Sequence, residues 1–177
     1  MTMTTPARSR ILCFAGALVV LGACAAGVTR EGDFFRSKKW AYRIAVPGDG
    51  WRRVEIEETE LAFFNERHGV TMILSRSCKP RLRTAPPALG RELAIGLKDR
   101  EMVFDGRVDL PAGEAHRFDV RGTAGGAPIA FSAFVLTRGR CVFDLLCLGR
   151  PENLAAVAAE FEAFARSFRF DGTAGAG

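Results

Sequence analysis

Few residues in this 177-residue chain have types and spacings suited to chemistry. There are two histidines, His68 and His116. Neither has a second ligand at the short spacings that mark a zinc site, so no metal and no cofactor is expected. His68 sits in Glu66-Arg67-His68-Gly69 and reads as a solvated turn residue; His116 reads as an ordinary strand residue. Glu114, His116, Asp119 and a downstream Ser132 contain the ingredients of a nucleophile, base and orienting acid. No nucleophile elbow, oxyanion loop or glycine-rich phosphate cradle accompanies them, and no catalytic residue is assigned. Arg76, Lys79, Arg81 and Arg83 form a basic cluster. It suits contact with an anionic partner, or it is a solvated loop that keeps a sheet edge soluble. Glu55, Glu57, Glu58 and Glu60 make an acidic run expected to be solvated.

The N-terminus says where this chemistry would operate. Arg8 and Arg10 precede Ile11 to Ala23, thirteen uncharged and almost wholly apolar residues. A basic head and an apolar stretch of this length suit a secretory signal; a membrane span needs about 20 residues. The run ends in Leu21-Gly22-Ala23-Cys24, which resembles the lipobox of bacterial lipoproteins. The resemblance implies cleavage before Cys24 and lipidation of its thiol. Ala25, where an aspartate would signal inner-membrane retention, implies the outer membrane. The expected location is thus the bacterial cell envelope, lipid-anchored and facing the periplasm. An uncleaved anchor helix and a plain secreted chain cut after Ala23 are the competing readings. Cleavage removes two of the 25 basic residues, so the formal charge of +5 falls to +3. A charge that mild gives no reason to expect a nucleic-acid partner.

Export also bears on the cysteines. With Cys13 lost and Cys24 lipidated, Cys78, Cys141 and Cys147 remain, in a compartment where disulfides persist. Cys141 and Cys147 would lie some 20 Å apart along one strand, too far to bridge. Cys147, among Leu145, Leu146 and Leu148, reads as a small buried hydrophobe. A Cys78–Cys141 bond is the expected pairing, with three free thiols as the alternative.

The elements that would carry these residues are mostly strands. Alternating apolar residues mark Trp40–Val46. Shorter candidates follow at Trp51–Ile56, Leu61–Asn65 and Val70–Ser75. A helix is expected from Pro87 to about Arg100, with Leu89, Leu93 and Leu97 at four-residue spacing. Val103–Leu110, Ala115–Arg121, Ile129–Thr137 and Cys141–Leu148 then read as an antiparallel meander. A last helix opens at Pro151, and its stripe is Leu154, Val157, Ala158, Phe161, Phe164 and Phe168. The expectation is an α+β fold, an antiparallel sheet of about seven to eight strands in two runs with two packed helices. Residues 1–23 are read as signal, 24–37 as a lipidated tether, 38–170 as the domain and 171–177 as a disordered tail.

Tyr42 to Pro47 (YRIAVP) with Gly50-Trp51, Phe63-Phe64-Asn65 with Gly69 to Ile73, and the closing Phe161, Phe164 and Ser167-Phe168 resemble the PsbP-like domain. The resemblance implies a small sheet with helices on its faces and a role in binding or assembly. It brings across no catalytic residue. The sequence thus points to a lipid-anchored envelope protein with a non-catalytic domain and an envelope protein as partner. A hydrolase or transferase on the same domain is the alternative.

Overall fold

A computed structural model describes residues 27–78 and 96–172. Among these residues eleven strands form two antiparallel sheets. The small sheet contains β1 (Thr29–Glu31), β2 (Phe34–Ser37), β3 (Tyr42–Ala45) and β11 (Arg169–Phe170), in the order β1-β2-β3-β11. The large one contains β4 (Trp51–Val54), β5 (Leu61–Asn65), β6 (Val70–Ser77), β7 (Lys98–Leu110), β8 (Gly113–Ala124), β9 (Ala127–Arg138) and β10 (Cys141–Gly149). Its order is β4-β5-β6-β10-β9-β8-β7, so β10 returns to lie between β6 and β9. Two helices follow, α1 (Pro151–Ala156) and α2 (Ala158–Ser167). The α+β architecture expected from the sequence is the one observed.

Side-chain alternation gives the large sheet two distinct faces. The first carries Phe63, Met72, Leu74, Phe134, Phe143, Leu145 and Cys147, all buried. The small sheet and α2 pack on it. Tyr42 of β3 meets Phe143 edge-on at 5.8 Å, Phe35 of β2 meets Phe63 at 5.5 Å, and Phe161 of α2 meets Phe134 at 5.5 Å. The second face holds a separate cluster of Phe118, Val120, Phe131, Ala133, Val135 and Val142, with Leu97 packed against it.

Four expectations need correction. The stretch read as a tether contains β1 and β2, with Phe35 and Ser37 buried, so the fold begins before residue 38. β1 is exposed throughout, and β2 alternates in burial but not in residue type, since Phe34 is exposed and Ser37 buried. At the other end, Asp171 pairs with Arg36 at 3.0 Å, and the Gly172 carbonyl accepts from Arg138 at 3.1 Å. The tail therefore does not begin at 171. The helix expected from Pro87 lies outside the described residues until Gly96, but its end is wrong, because β7 already runs from Lys98. A bulge in β7 between Lys98 and Glu101 fits there because Gly122 has no side chain. A Cβ at Gly122 would stand 2.7 Å from the Lys98 carbonyl oxygen.

The closing helix is two. The backbone at Val157 departs from helical geometry (φ −110°, ψ 9°) and separates α1 from α2. Phe168 is extended and leads into β11, yet it is fully buried between Tyr42 and Phe143. Because Phe161 joins α2 to the sheet at 3% exposure, Phe161→Ala should cost about 3–5 kcal/mol. Chemical denaturation checks this; a variant unfolding with wild-type midpoint would refute the packing.

Candidate functional site

A cleft of about 170 Å³ opens on the first face of the large sheet where α1 crosses β9 and β10. Alternation on β8 and β9 aims Arg117, Asp119, Ala130 and Ser132 into it, because Asp119 pairs with Ser132 and Arg121 with Ala130 across the strands. Leu154, Ala155, Ala158, Phe161 and Glu162 form the helical wall, and Val103 stands at the rim. A second β7 bulge, between Met102 and Phe104, puts Val103 there. Met102, Val103 and Phe104 are all exposed.

Four polar groups of the cleft bond to one another. Arg117 Nε reaches both Asp119 carboxylate oxygens, at 3.2 and 3.0 Å, and its Nη1 reaches Glu162 Oε2 at 3.4 Å. Glu162 also pairs with Arg166 at 2.8 Å, and Ser132 donates to Asp119 Oδ1 at 2.5 Å. The structure thus brings Asp119 and Ser132 together as the sequence allowed, but not His116. That residue points to the opposite face, stacks on Phe118 at 4.5 Å and meets Asp105 Oδ1 at 2.6 Å. The Ser132 hydroxyl donates to a carboxylate that Arg117 also holds, and the candidate imidazole base does not join it. Cys147 lies at the cleft's base, fully buried. Burial first, and the nearby Glu160 carboxylate second, push its thiol up to about 12, so it stays protonated and unreactive.

The cysteines and the basic cluster meet elsewhere, at the end of β6. Cys78 and Cys141 are disulfide-bonded with Cα atoms 4.1 Å apart, as expected, and Cys147 is free. Arg76 is not available to an anionic partner. It pairs with Glu60 at 2.8 Å, donates to Cys78 Sγ at 3.1 Å, and lies 3.7 Å over the Trp40 ring. Tyr42 donates its hydroxyl to the other Glu60 oxygen at 3.1 Å. Burial, and next the Glu60 charge, raise the Tyr42 phenol far above its ordinary range. Glu60 therefore belongs to a half-buried clamp between the sheets, not to the solvated acidic run. Lys79, Arg81, Arg83 and Cys24 lie outside the described residues. His68 is half-buried in its turn, where its backbone N–H donates to Asn65 Oδ1. Among the described residues no group of His, Cys, Asp and Glu is arranged to hold a metal, and no helix is long and apolar enough to cross a membrane.

No family model matches the sequence, and no curated protein does. Solved structures do match its fold. Cyanobacterial PsbP (CyanoP) from Synechocystis sp. PCC 6803 superposes with a TM-score of 0.59 at 15% identity, over 84% of this chain and 95% of that one. The chain has the PsbP-like fold. LpqN of Mycobacterium tuberculosis, involved in cell envelope biogenesis there, matches with a TM-score of 0.54 at 14% identity, over 74% of this chain and 83% of that one. A Pseudomonas aeruginosa protein of unknown function, PA94, matches with a TM-score of 0.52 at 10% identity, over 82% and 97%. At such identities the likeness concerns the fold, and no site residue transfers with it.

One titratable group missed in the sequence faces the second side of the PsbP-like sheet. Asp144 shares its face with Val142 and Leu146, and among the described residues Ser75 Oγ is its hydrogen-bond partner, at 3.5 Å. Burial raises its pKa from 3.8 to about 6, against a small opposing effect of Ser75. A carboxyl whose folded pKa is raised favours the fold when protonated. Its contribution is fully present below about pH 4 and lost as pH rises through 6. Asp144→Asn should therefore stabilise the protein at pH 7, by about 3 kcal/mol at most, and remove that part of the pH dependence. Thermal melts from pH 4 to 8 test it, and an unchanged profile would refute it.

The Glu60 clamp gives a second comparison. Glu60→Ala leaves Arg76 half-buried and unpaired, and should cost about 3 kcal/mol. Glu66→Ala breaks an exposed pair with Arg52 and should cost under about 1 kcal/mol. Denaturant midpoints of the two variants rank them, and equal losses would count against the clamp.

Proposed function

We propose that the chain is a lipid-anchored cell-envelope protein whose PsbP-like domain binds a partner without catalysing a reaction. The observation that carries the binding part is the closed set of bonds in the cleft. Arg117, Asp119, Ser132 and Glu162 bond to one another, and His116, the candidate base, lies on the opposite face of the sheet. The Cys78–Cys141 disulfide supports the export part, since such bonds persist in oxidising compartments. The Leu21-Gly22-Ala23-Cys24 sequence supports the anchor, and several acyl chains, each buried methylene contributing ~0.8 kcal/mol, would hold it on a membrane durably.

The alternative, a hydrolase or transferase, draws on the 2.5 Å contact between Ser132 and Asp119. Two measurements separate the readings. Mass spectrometry of the mature N-terminus should find an acylated Cys24 and no residues 1–23; an unmodified Cys24 would overturn the anchor. A serine-directed covalent probe should leave Ser132 unlabelled in the folded protein, whereas stoichiometric labelling would favour the enzyme. Crosslinking in the intact envelope should then recover an envelope protein bound to the domain.

A further inference from the structure

We infer that the cleft beneath α1 takes a small amphiphile, an unbranched apolar chain bearing one anionic end. The inference rests on reading this cleft as a binding site and adds the class of its ligand.

The apolar part follows from the lining. Val103, Ala130, Leu154, Ala155, Ala158 and Phe161 face the cleft, and three of the six are alanines. Alanines opposite one another leave a slot of chain width, where leucines would have closed it. The cover is also incomplete. α1 buries none of its own residues, although it lies on β9 and β10, and Leu154 stays half-exposed. The Val157 break carries α1 off the line of α2, and the β7 bulge turns Val103 toward the opening. An element that crosses a sheet without burying a side chain leaves apolar surface that a ligand chain can cover, at about 25 cal/mol per Å² removed from water.

The anionic end follows from charge. Arg117 is matched by Asp119 and Glu162, and Arg166 by Glu162, so these groups have no claim on a ligand. Arg121 projects from β8 on the same face, two residues beyond Asp119, and is exposed at the mouth. Glu101 stands across from it in the β7–β8 register but forms no ion pair with it within 4 Å, whereas Arg117, four residues away, has two described carboxylate partners. A carboxylate or phosphate on a chain lying along Ala130 and Leu154 would meet that guanidinium at the water boundary.

The test uses the full chain carrying Cys24→Ser, so that no acyl group of its own competes for the cleft. Octanoate, octyl phosphate, octanol and octylammonium are titrated while the backbone amides of Val103, Ala130, Leu154 and Ala158 are followed by NMR. The two anions should bind and shift these four signals together. Octanol should bind roughly three- to five-fold more weakly, the size of one exposed charge pair, and octylammonium more weakly still. Arg121→Gln should bring octanoate down to the affinity of octanol and leave octanol unchanged. Ala155→Phe, at an exposed position on the wall, should fill the slot and abolish binding of all four with the melting curve unaltered. Phosphatidylglycerol vesicles form a separate arm. Shifts at the same amides would place the source in a lipid, and shifts with free octanoate alone would place it in a soluble fatty acid. No binding of octanoate, or octanol binding as tightly as octanoate in the unmodified cleft, overturns the inference. If octanoate fails while an envelope protein still crosslinks to the cleft, the binding reading survives and only the ligand class falls.

Discussion

One half-buried ion pair holds the two sheets in register. Glu60 precedes the second strand of the large sheet, and Arg76 lies near the end of its third. Tyr42 and the adjacent Trp40 belong to the small sheet's side of the interface, and both reach the pair: the phenol through a hydrogen bond to Glu60, the indole ring beneath the guanidinium. Aromatic packing of Tyr42, Phe143 and Phe168 draws the sheets together but tolerates some sliding. The charge pair does not. In a low-dielectric setting a carboxylate that must meet both a guanidinium and a phenol has few acceptable positions. The pair's value is as much geometric as energetic, because the desolvation of two charges offsets much of their attraction.

The cleft exists because that constraint operates at the far end of the sheet. Around Tyr42 and Phe143 the cover is continuous, with β3, β11 and α2 all packed against the first face. Towards β8 and β9 the cover among the described residues thins to the short α1 and the Phe161 and Glu162 side chains of α2, and β7 is distorted by two bulges. Bulges at an edge strand blunt unwanted strand pairing, and here one of them also sets an exposed valine at the lip of the cleft. The same loss of cover explains the polar network. Arg117, Asp119 and Ser132 lie on a face that is apolar further along, so each had to find its partner within the network.

Much of this was legible in the sequence, because period-2 alternation survives in any strand with one buried face. Leu61–Asn65 and the meander from Val103 to Leu148 are found within a few residues of the expected bounds. What failed had little local signal. Thr29–Glu31 has no buried face, Phe34–Ser37 exposes a phenylalanine and buries a serine, and β11 is two residues held by partners far away in sequence. Phe168 fitted a helical stripe and an inward-facing strand equally well, since either places it on the core. Arg76 was the instructive miss. Charge alone groups it with Lys79, Arg81 and Arg83, yet it alternates in phase with Val70, Met72 and Leu74. The parity of its position already aimed it inward, and the pairing with Glu60 follows from that parity.

Moving Arg76 from the surface into the clamp changes what the basic segment can do. Recognition of an anionic partner by this stretch would fall to Lys79, Arg81 and Arg83, which follow directly after the disulfide. Cys78 and Cys141 flank a ladder already paired at Ser77 and Val142, so the bond adds little to β-pairing itself. Its effect is to close a loop between residues 63 apart in sequence and so narrow the unfolded ensemble. It also fixes the point at which the chain leaves β6. Arg76 bonds to the Cys78 sulfur, so the inter-sheet clamp and the covalent staple share an atom. A fold secured at that point leaves the opposite end of the large sheet, with its thin cover and exposed Arg121, as the place where a ligand can be admitted without loosening the core.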